Sequence, residues 1–137
     1  MSALGPRWDP MVEPAFVERV RAFARERIAP HAARIDREDE YPVEIMRALA
    51  HEGFSAVFMP EAHGGGGRNH RCALAVFEEV SYASAAVGIS LITILQAQTI
   101  IRLFGNARLK ATYLPRLAQG LLASYALTEA NHGSDIR

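Results

Sequence analysis

The first third of the chain shows the pattern of an amphipathic helix. Apolar and charged positions recur with a period near 3.6 residues, which places them on opposite faces of a helix. Pro14 stands where a first helical turn tolerates proline. Pro30 lacks the N–H group that a continuing helix needs, so it is expected to bend or break the helix, with a second short piece over residues 31–39. The apolar face consists of Phe16, Val20, Phe23, Ala24 and Ile28, and the polar face of Glu18, Arg19, Arg25 and Glu26.

Two more helices are predicted before the middle of the chain. Pro42 is placed to begin a helix over residues 43–51, and Gly53 ends it, because glycine adopts the left-handed conformation of a C-terminal cap without strain. An apolar connector and a loop follow over residues 54–68. The next predicted helix covers roughly residues 70–85 and has one apolar face.

A very apolar helix is predicted from Gly88 to about Phe104. It belongs to a segment, Val80 to Ile101, that contains no charged residue and is about long enough to cross a bilayer, for which ~20 residues suffice. The serines, threonines, glutamines and glycine of this segment make it a poor membrane span. A central helix buried on most sides of a soluble bundle is the preferred interpretation, so no membrane span is predicted.

The last helix is predicted over residues 107–119, capped by Asn106. Pro115 is expected to cause a kink or a break in it. After Gly120 the period changes, and Leu122 to Thr128 is compatible with an extended strand. The predicted fold class is therefore all-α: a helical bundle of about five to six helices with a short extended C-terminal tail.

Composition and charge fit one soluble domain. Half of the 137 residues are hydrophobic, which is enough to bury a core, and the 15 basic residues equal the 15 acidic ones. The chain therefore has no strong positive electrostatic field that would favour nucleic acid or an anionic membrane as a partner. The only cysteine, Cys72, excludes an intramolecular disulfide and is interpreted as a small buried helix residue. The N-terminal segment, with Asp9 and Glu13, lacks the features of a secretory signal or transit peptide, which predicts a cytoplasmic protein.

Local motifs for chemistry are sparse. Gly64 to Gly67 could cradle a phosphate, but neither the lysine nor the strand of a nucleotide-binding loop accompanies it, so a turn between helices is favoured. Glu78 and Glu79 are adjacent on a predicted helix, point away from each other and do not form an acid and base pair. No metal site is predicted, because none of the histidines pairs with another residue at ligand spacing on a helix. These histidines are His31, His51, His63, His70 and His132.

Five segments stand in a characteristic order along the chain. They are VRAFARERIAPHAARIDREDEYP, EGFSAVFMPEAHGGGG, FEEVSYASAAVG, FGNARLKATYLPRLAQG and YALTEANHGSD. Together, from about Val17 to the last residues, they resemble the N-terminal region of the acyl-CoA dehydrogenase family. Five landmarks in the right order are a much stronger signal than any one of them.

The resemblance implies an oxidoreductase. Members of this family use FAD to remove two hydrogens from Cα and Cβ of an acyl-CoA thioester and pass the electrons to an electron-transfer flavoprotein. They have an N-terminal helical domain, a β-domain and a C-terminal helical bundle, and usually form dimers or tetramers. The implied division of this chain is an N-terminal extension (residues 1–12), the helical domain (residues 13–122) and the start of the flavin-lining segment (residues 123–137). The expected assembly is a homo-oligomer, or a complex with complementing β and C-terminal domains.

The resemblance also implies binding residues. The family segment that ends in T-E-P-x-x-G-S-D lines the flavin, and Tyr125 to Ser134 match it. Its hydroxyl and backbone groups suit the polar edge of an isoalloxazine ring, and glycine lets the backbone approach a phosphate. Substrate contacts are assigned to Ser134, near the CoA portion, and to Gln96, which with Ile92 and Thr99 occupies the loosely aligned stretch that borders the acyl pocket in the family. For these three helix residues taken singly, core packing is the preferred interpretation. The expected flavin contacts are Tyr125, Leu127, Thr128, Gly133 and Ser134.

Two departures from the family pattern qualify this interpretation. Ala130 replaces the usual proline, and Asn131 and His132 replace residues that are commonly small. The catalytic glutamate of the family belongs to the C-terminal bundle, so no residue of this chain is assigned as the base, and the isolated chain is expected to be inactive. The chain would then be an excised piece, a split gene product or a degenerate homologue. The alternative is a stand-alone helical interaction module that uses an exposed apolar face and binds no flavin.

Overall fold

The computed structural model describes residues 12–135, and they form an all-α bundle, which confirms the predicted fold class. The predicted N-terminal extension lies outside the described residues except for Val12, as do the last two residues of the chain. Six α-helices make up the bundle: α1 (Pro14–Phe23), α2 (Ala29–Glu38), α3 (Val43–His51), α4 (His70–Ala83), α5 (Ala85–Phe104) and α6 (Ala107–Ala118). Two short 3₁₀ turns, Phe54–Ala56 and Glu61–His63, lie between α3 and α4.

A π-helical turn, Ala24–Ile28, joins α1 to α2. The N–H group of Ala29 donates to the carbonyl of Ala24, five residues back, and Pro30 follows at once in the first turn of α2. In an α-helix the ring of Pro30 would clash with the carbonyl four residues earlier. The wider turn is one of the known ways in which a helix accommodates such a disruption. Pro30 therefore interrupts the α-helix, as predicted, while the chain remains helical on both sides of it.

Helix α3 begins and ends where the sequence predicts. It covers Val43–His51, directly after Pro42, and Gly53 follows with φ of 76°, in the left-handed region. The next residues, Phe54 to Met59, are all buried. The apolar connector is thus part of the core and not a surface loop.

Helix α5 begins at Ala85, three residues earlier than the predicted Gly88. Ser84 separates α4 from α5 with extended dihedral angles, and its hydroxyl accepts a hydrogen bond from the N–H group of Val87. This is the usual arrangement of a helix N-cap, and serine is a favoured residue there. Gly88 lies against Ser81 of α4, where a Cβ atom would come within 2.1 Å of the Ser81 hydroxyl oxygen. The absence of a side chain at Gly88 therefore lets the two helices approach closely.

The C-terminal part differs from the sequence prediction in two respects. Asn106 caps α6 as predicted, with its side chain accepting from the N–H group of Leu109, but the helix continues through Pro115 to Ala118 without a break. Pro115 lies in the last turn, where only a few residues remain to be disturbed. The predicted strand, Leu122 to Thr128, has no regular structure, because a strand needs a partner for its backbone groups and the described residues offer none. The first pairing in this tail is the turn in which Glu129 and His132 exchange backbone hydrogen bonds.

The core consists of two clusters of buried apolar side chains. The larger cluster contains residues of all five helices from α1 through α5 and of the connector. It includes Val12 and Cys72, and Cys72 is 3% exposed, as expected for a structural cysteine. The smaller cluster holds α6 against the connector. Its buried members are Ala56, Met59, Leu114, Leu117 and Ala118.

Helix α5 is the one helix among residues 12–135 that is long and apolar enough to cross a membrane by length and composition. Within its most apolar window, 39% of the residues are buried inside the bundle. Its buried side packs against α4, α3 and α6. The expected burial on most sides is therefore only partly met, since Ile89, Gln96, Ile100, Leu103 and Phe104 are exposed.

Candidate functional site

An apolar groove runs along the surface between α4 and α5. We call it the α4/α5 groove; its volume is about 550 Å³. It exists because each of these helices carries apolar side chains on a face that does not point into the core. The lining residues are Phe58, His70, Ala73, Leu74, Phe77, Ile92, Leu95, Gln96, Thr99, Ile100 and Tyr125.

Three of these lining residues are ones that the sequence associates with the acyl pocket. Ile92, Gln96 and Thr99 all face the groove from α5. The hydroxyl of Thr99 donates to the carbonyl of Leu95 at 2.8 Å, so it is already engaged within the helix. The amide of Gln96 is exposed and has no hydrogen-bond partner among residues 12–135.

An aromatic stack forms the part of the groove wall near the start of α4. The rings of Phe58 and His70 lie 5.0 Å apart at an angle of 27°. The guanidinium of Arg102 lies over the same Phe58 ring, 5.3 Å from its centroid. Phe58 is buried, so contacts on its ring hold it in place. Neither Phe58 nor His70 was among the predicted site residues, and no local motif marks them, because they come together only through the packing of the connector on α4.

Tyr125 is shared between the α4/α5 groove and a second apolar groove. The second groove, about 560 Å³ in volume, lies between α5, α6 and the tail. Ile100 and Tyr125 line both grooves. Tyr125, the first predicted flavin contact, therefore lines the same groove as Gln96.

The other predicted flavin contacts lie further along the tail. Leu127, Thr128, Gly133 and Ser134 are all exposed. A Cβ atom built on Gly133 would meet nothing within 4 Å, so its backbone is accessible. None of these four residues lines the α4/α5 groove, so the structure brings together only Gln96 and Tyr125 of the predicted site residues.

The glycine tract does not present its amides to a ligand. The N–H groups of Gly65, Gly66 and Gly67 donate to the carbonyls of Pro60, Ala56 and Met59, at 2.9 to 3.2 Å. A Cβ atom on Gly65 would lie 2.2 Å from the Met59 carbonyl oxygen. The tract is glycine-rich because its backbone packs directly on the connector, which agrees with the predicted turn between helices.

The buried carboxylate of α4 lies outside the groove lining. Glu79 of α4 is 5% exposed and forms an ion pair with Arg21 of α1, while its neighbour Glu78 lies nearer the surface. Glu79 raises the pKa of the Arg21 guanidinium, mainly through these hydrogen bonds. No aspartate, glutamate, lysine or arginine is among the residues that line the α4/α5 groove. Among residues 12–135, no group of three or more histidine, cysteine, aspartate or glutamate side chains is placed to hold a metal ion.

The described residues thus form an all-α bundle with an apolar groove between α4 and α5 and an exposed tail. Residues 12–121 match the family model described as "Acyl-CoA dehydrogenase, N-terminal domain". The chain belongs to the acyl-CoA dehydrogenase family and corresponds to its N-terminal domain.

Curated relatives and solved structures agree with this assignment. The chain is 42% identical over 118 residues to the probable acyl-CoA dehydrogenase fadE25 of Mycobacterium leprae, which covers 85% of this chain and 30% of the relative. It is 38% identical over 118 residues to an acyl-CoA dehydrogenase of Bacillus subtilis, covering 85% of this chain and 31% of that protein. The structure of butyryl-CoA dehydrogenase from Megasphaera elsdenii superimposes with a TM-score of 0.85 at 25% identity, covering 97% of this chain and 36% of that one. The chain thus spans about a third of the length of these relatives.

Proposed function

We propose that this chain acts as the N-terminal domain of an FAD-dependent acyl-CoA dehydrogenase, which removes two hydrogens from Cα and Cβ of an acyl-CoA thioester. One observation carries the proposal. The α4/α5 groove, which suits an apolar chain, is lined in part by Tyr125, the first residue of the segment that resembles the flavin-lining segment of the family. A substrate chain in the groove and a flavin on the tail would therefore meet at one residue.

The tail fits the polar edge of a flavin. The N–H groups of Leu127 and Thr128 donate to no backbone carbonyl among residues 12–135, and the Thr128 hydroxyl is exposed. These groups are free to donate to the ring oxygens and nitrogens. Gly133 offers an accessible backbone beside the Ser134 hydroxyl, as a pyrophosphate contact requires. The donor set of the tail is thus compatible with FAD.

The residues of this chain would bind and orient, and would not transfer the proton. FAD, when bound, supplies the oxidising group that accepts the electrons from the acyl chain. Donors from Leu127 and Thr128 would stabilise negative charge that builds up at the ring edge. No carboxylate lines the α4/α5 groove, and Glu79, the buried carboxylate of α4, is paired with Arg21. The base that takes the Cα proton is therefore expected outside this chain.

The groove would hold the acyl chain and exclude water from it. Its walls are mostly Leu, Ile, Ala and Phe side chains, so an acyl chain bound there is transferred out of water. Each buried methylene contributes about 0.8 kcal/mol to such a transfer. The Phe58 and His70 rings would form the wall nearest the start of α4.

The partners in this proposal follow from the family. They are an acyl-CoA substrate, an electron-transfer flavoprotein as acceptor, and β and C-terminal domains that complete the site. A homo-oligomer and a cytoplasmic location belong to the same proposal. Several apolar residues at the end of α5, on α6 and in the tail are exposed and could face such domains, among them Leu103, Phe104, Leu109, Tyr113 and Leu122.

A domain exchange tests the proposal. Residues 12–135 would replace the matching N-terminal segment of the Bacillus subtilis acyl-CoA dehydrogenase, to which the chain is 38% identical over 118 residues. We expect the purified chimera to retain FAD in amounts comparable to the parent enzyme, measured by flavin absorbance. A folded chimera that elutes without flavin would refute the assignment of the tail. A chimera in which Thr128 and Ser134 are both replaced by alanine serves as the matched control and is expected to lose FAD.

The exposed apolar residues also favour a second candidate, a helical interaction module that binds a protein partner and no flavin. Phe104, the last residue of α5, is 82% exposed. The two candidates differ in the response to FAD. In the module, the chimera would carry no flavin, and Phe104→Ser in the isolated chain would abolish binding of the partner.

A further inference from the structure

We propose that Gln96 makes the α4/α5 groove selective for acyl chains that carry a neutral hydroxyl group. This inference rests on the proposed function, because it names the class of acyl-CoA that the same groove prefers. Gln96 is one helical turn from both Ile92 and Ile100 on the groove-facing side of α5. A polar amide therefore interrupts an apolar row in the middle of the groove wall.

The two glutamines of α5 have different roles. Gln98 is 1% exposed, and its Nε2 donates to the carbonyl of Ser55 at 2.8 Å, so its side chain ties α5 to the connector. Gln96 has no such bond among residues 12–135, and its amide can both donate and accept. Gln98 is explained by the fold, whereas Gln96 is not.

A plain alkyl chain in the groove would cover this amide without giving it a partner. Covering a polar group without a hydrogen bond is unfavourable, and a group on the ligand that restores the bond recovers that loss. A hydroxyl group on the ligand can satisfy both ends of the amide, since it can accept a hydrogen bond from Nε2 and donate one to Oε1. The Thr99 hydroxyl already donates to the Leu95 carbonyl, so towards a ligand it could only accept, whereas the Gln96 amide can both donate and accept.

The lining also argues against a charged substituent. No lysine or arginine is among the lining residues, and the guanidinium of Arg102 is already stacked over the Phe58 ring, so a carboxylate beside Gln96 would have no direct counter-charge in the wall. His70 is at the end of the groove near the start of α4, where it stacks on Phe58. The neutral hydroxyl is therefore the substituent that fits the wall around Gln96.

The experiment measures binding of two matched probes to the 137-residue chain by nuclear magnetic resonance titration. The probes are octanoyl-CoA and hydroxyoctanoyl-CoA isomers with the hydroxyl in the outer half of the chain. We expect at least one isomer to bind about 5-fold to 10-fold more tightly than octanoyl-CoA, which corresponds to one hydrogen bond of typical strength. The amide signals of Ala73 and Leu95 report occupancy of the groove.

Two substitutions assign the preference to the amide. Gln96→Met keeps the length of the side chain without its polar atoms and is expected to remove the preference or to reverse it. Gln96→Leu is a second apolar variant, and because the residue is exposed, neither is expected to prevent folding. Thr93→Val is the control, since it removes a hydroxyl of α5 that is engaged within the helix and does not line the groove, and it should leave the preference unchanged.

The outcomes separate this inference from the proposed function. If the probes bind in the groove with equal affinity, or if the preference survives in Gln96→Met and Gln96→Leu, Gln96 does not select hydroxylated chains. The proposal that the groove binds acyl chains is then unaffected. If neither probe shifts the groove signals while the chain is folded, the groove does not bind acyl chains by itself and the role of Gln96 is wrong, whereas the proposed function is decided by the flavin content and reduction of the chimera.

Discussion

Glu79 of α4 accepts two hydrogen bonds from Arg21 of α1, at 3.1 Å from Nε and 2.8 Å from Nη2. The two residues are 58 positions apart in sequence, so the pair links the first helix to the middle of the bundle. Their side chains are unequally exposed, 33% for Arg21 and 6% for Glu79. The buried Glu79 carboxylate therefore needs its partner to balance its charge more than the exposed Arg21 guanidinium does.

This difference in exposure predicts that substitutions of Arg21 and of Glu79 lower the free energy of unfolding by different amounts. Arg21→Met leaves a buried carboxylate without its counter-charge and should lower the free energy of unfolding by about 3 kcal/mol. Glu79→Gln should cost less, about 1 to 2 kcal/mol, because Arg21 reaches solvent and keeps a contact with Glu18. Urea denaturation of both variants measures the difference. Equal losses, or a larger loss for Glu79→Gln, would show that burial of the carboxylate does not control the pair.

The helices could be predicted from sequence because their signals are local. Pro14 and Pro42 mark helix starts, Gly53 marks a helix end, and Asn106 is an N-cap, and each of these signals depends only on its near neighbours. The pairing of Arg21 with Glu79 and the stacking of Phe58 on His70 could not be predicted in this way. They arise from contacts between distant segments, for which a single sequence carries no periodic signal.

The candidate site was predictable only in part for the same reason. Gln96 and Tyr125 were assigned through the family resemblance, and the structure places both on the α4/α5 groove. Ser134, assigned to the CoA portion, lies outside the groove on the exposed tail. Leu122 to Thr128, whose pattern is compatible with an extended strand, forms a tail without strand pairing, because alternation of apolar positions does not supply a partner for the backbone.

The glycine tract is expected to be sensitive to a single methyl group. Gly65→Ala would place Cβ 2.2 Å from the Met59 carbonyl oxygen, a backbone atom that cannot rotate away. We expect a loss of about 2 kcal/mol or more in the free energy of unfolding. Thermal denaturation followed by circular dichroism tests this. Gly133→Ala is the matched control, since its Cβ would meet nothing within 4 Å, and a similar loss in both variants would contradict the packing argument.

Tyr41 predicts a decrease in stability at alkaline pH. Burial raises the pKa of Tyr41, and a hydrogen bond with Ser90 offsets part of that rise. The folded state therefore favours the neutral phenol. Its contribution to stability is complete below the unfolded pKa of about 10 and is lost as the pH rises through the higher folded value.

Tyr41→Phe removes this titration and should flatten the dependence of the unfolding free energy on pH between about 9 and 11. Denaturant unfolding at several pH values in this window provides the comparison. The effect is expected to be small, because 45% of the Tyr41 surface is exposed. Identical slopes for Tyr41→Phe and the unsubstituted chain would show that the burial of Tyr41 does not affect its ionisation.

Thr128 is expected to tune the flavin in the chimera with the Bacillus subtilis enzyme. Thr128→Val removes a hydroxyl donor to the ring edge, where charge accumulates on reduction, so the midpoint potential should fall. One hydrogen bond of about 1 kcal/mol corresponds to roughly 20 mV for a two-electron couple. Spectroelectrochemical titration measures this shift. Thr112→Val on the exposed side of α6 is the control, and an equal change in both variants would rule out a contact with the flavin.

Reduction of the chimera by substrate tests the central claim most directly. The flavin-loaded chimera is mixed with a saturated acyl-CoA in the absence of oxygen, and flavin absorbance and enoyl-CoA are measured together. We predict that the flavin bleaches and that one enoyl-CoA forms for each flavin reduced, as in the parent enzyme. A folded, flavin-loaded chimera that binds acyl-CoA but is not reduced by it, while the parent enzyme is, would contradict the account.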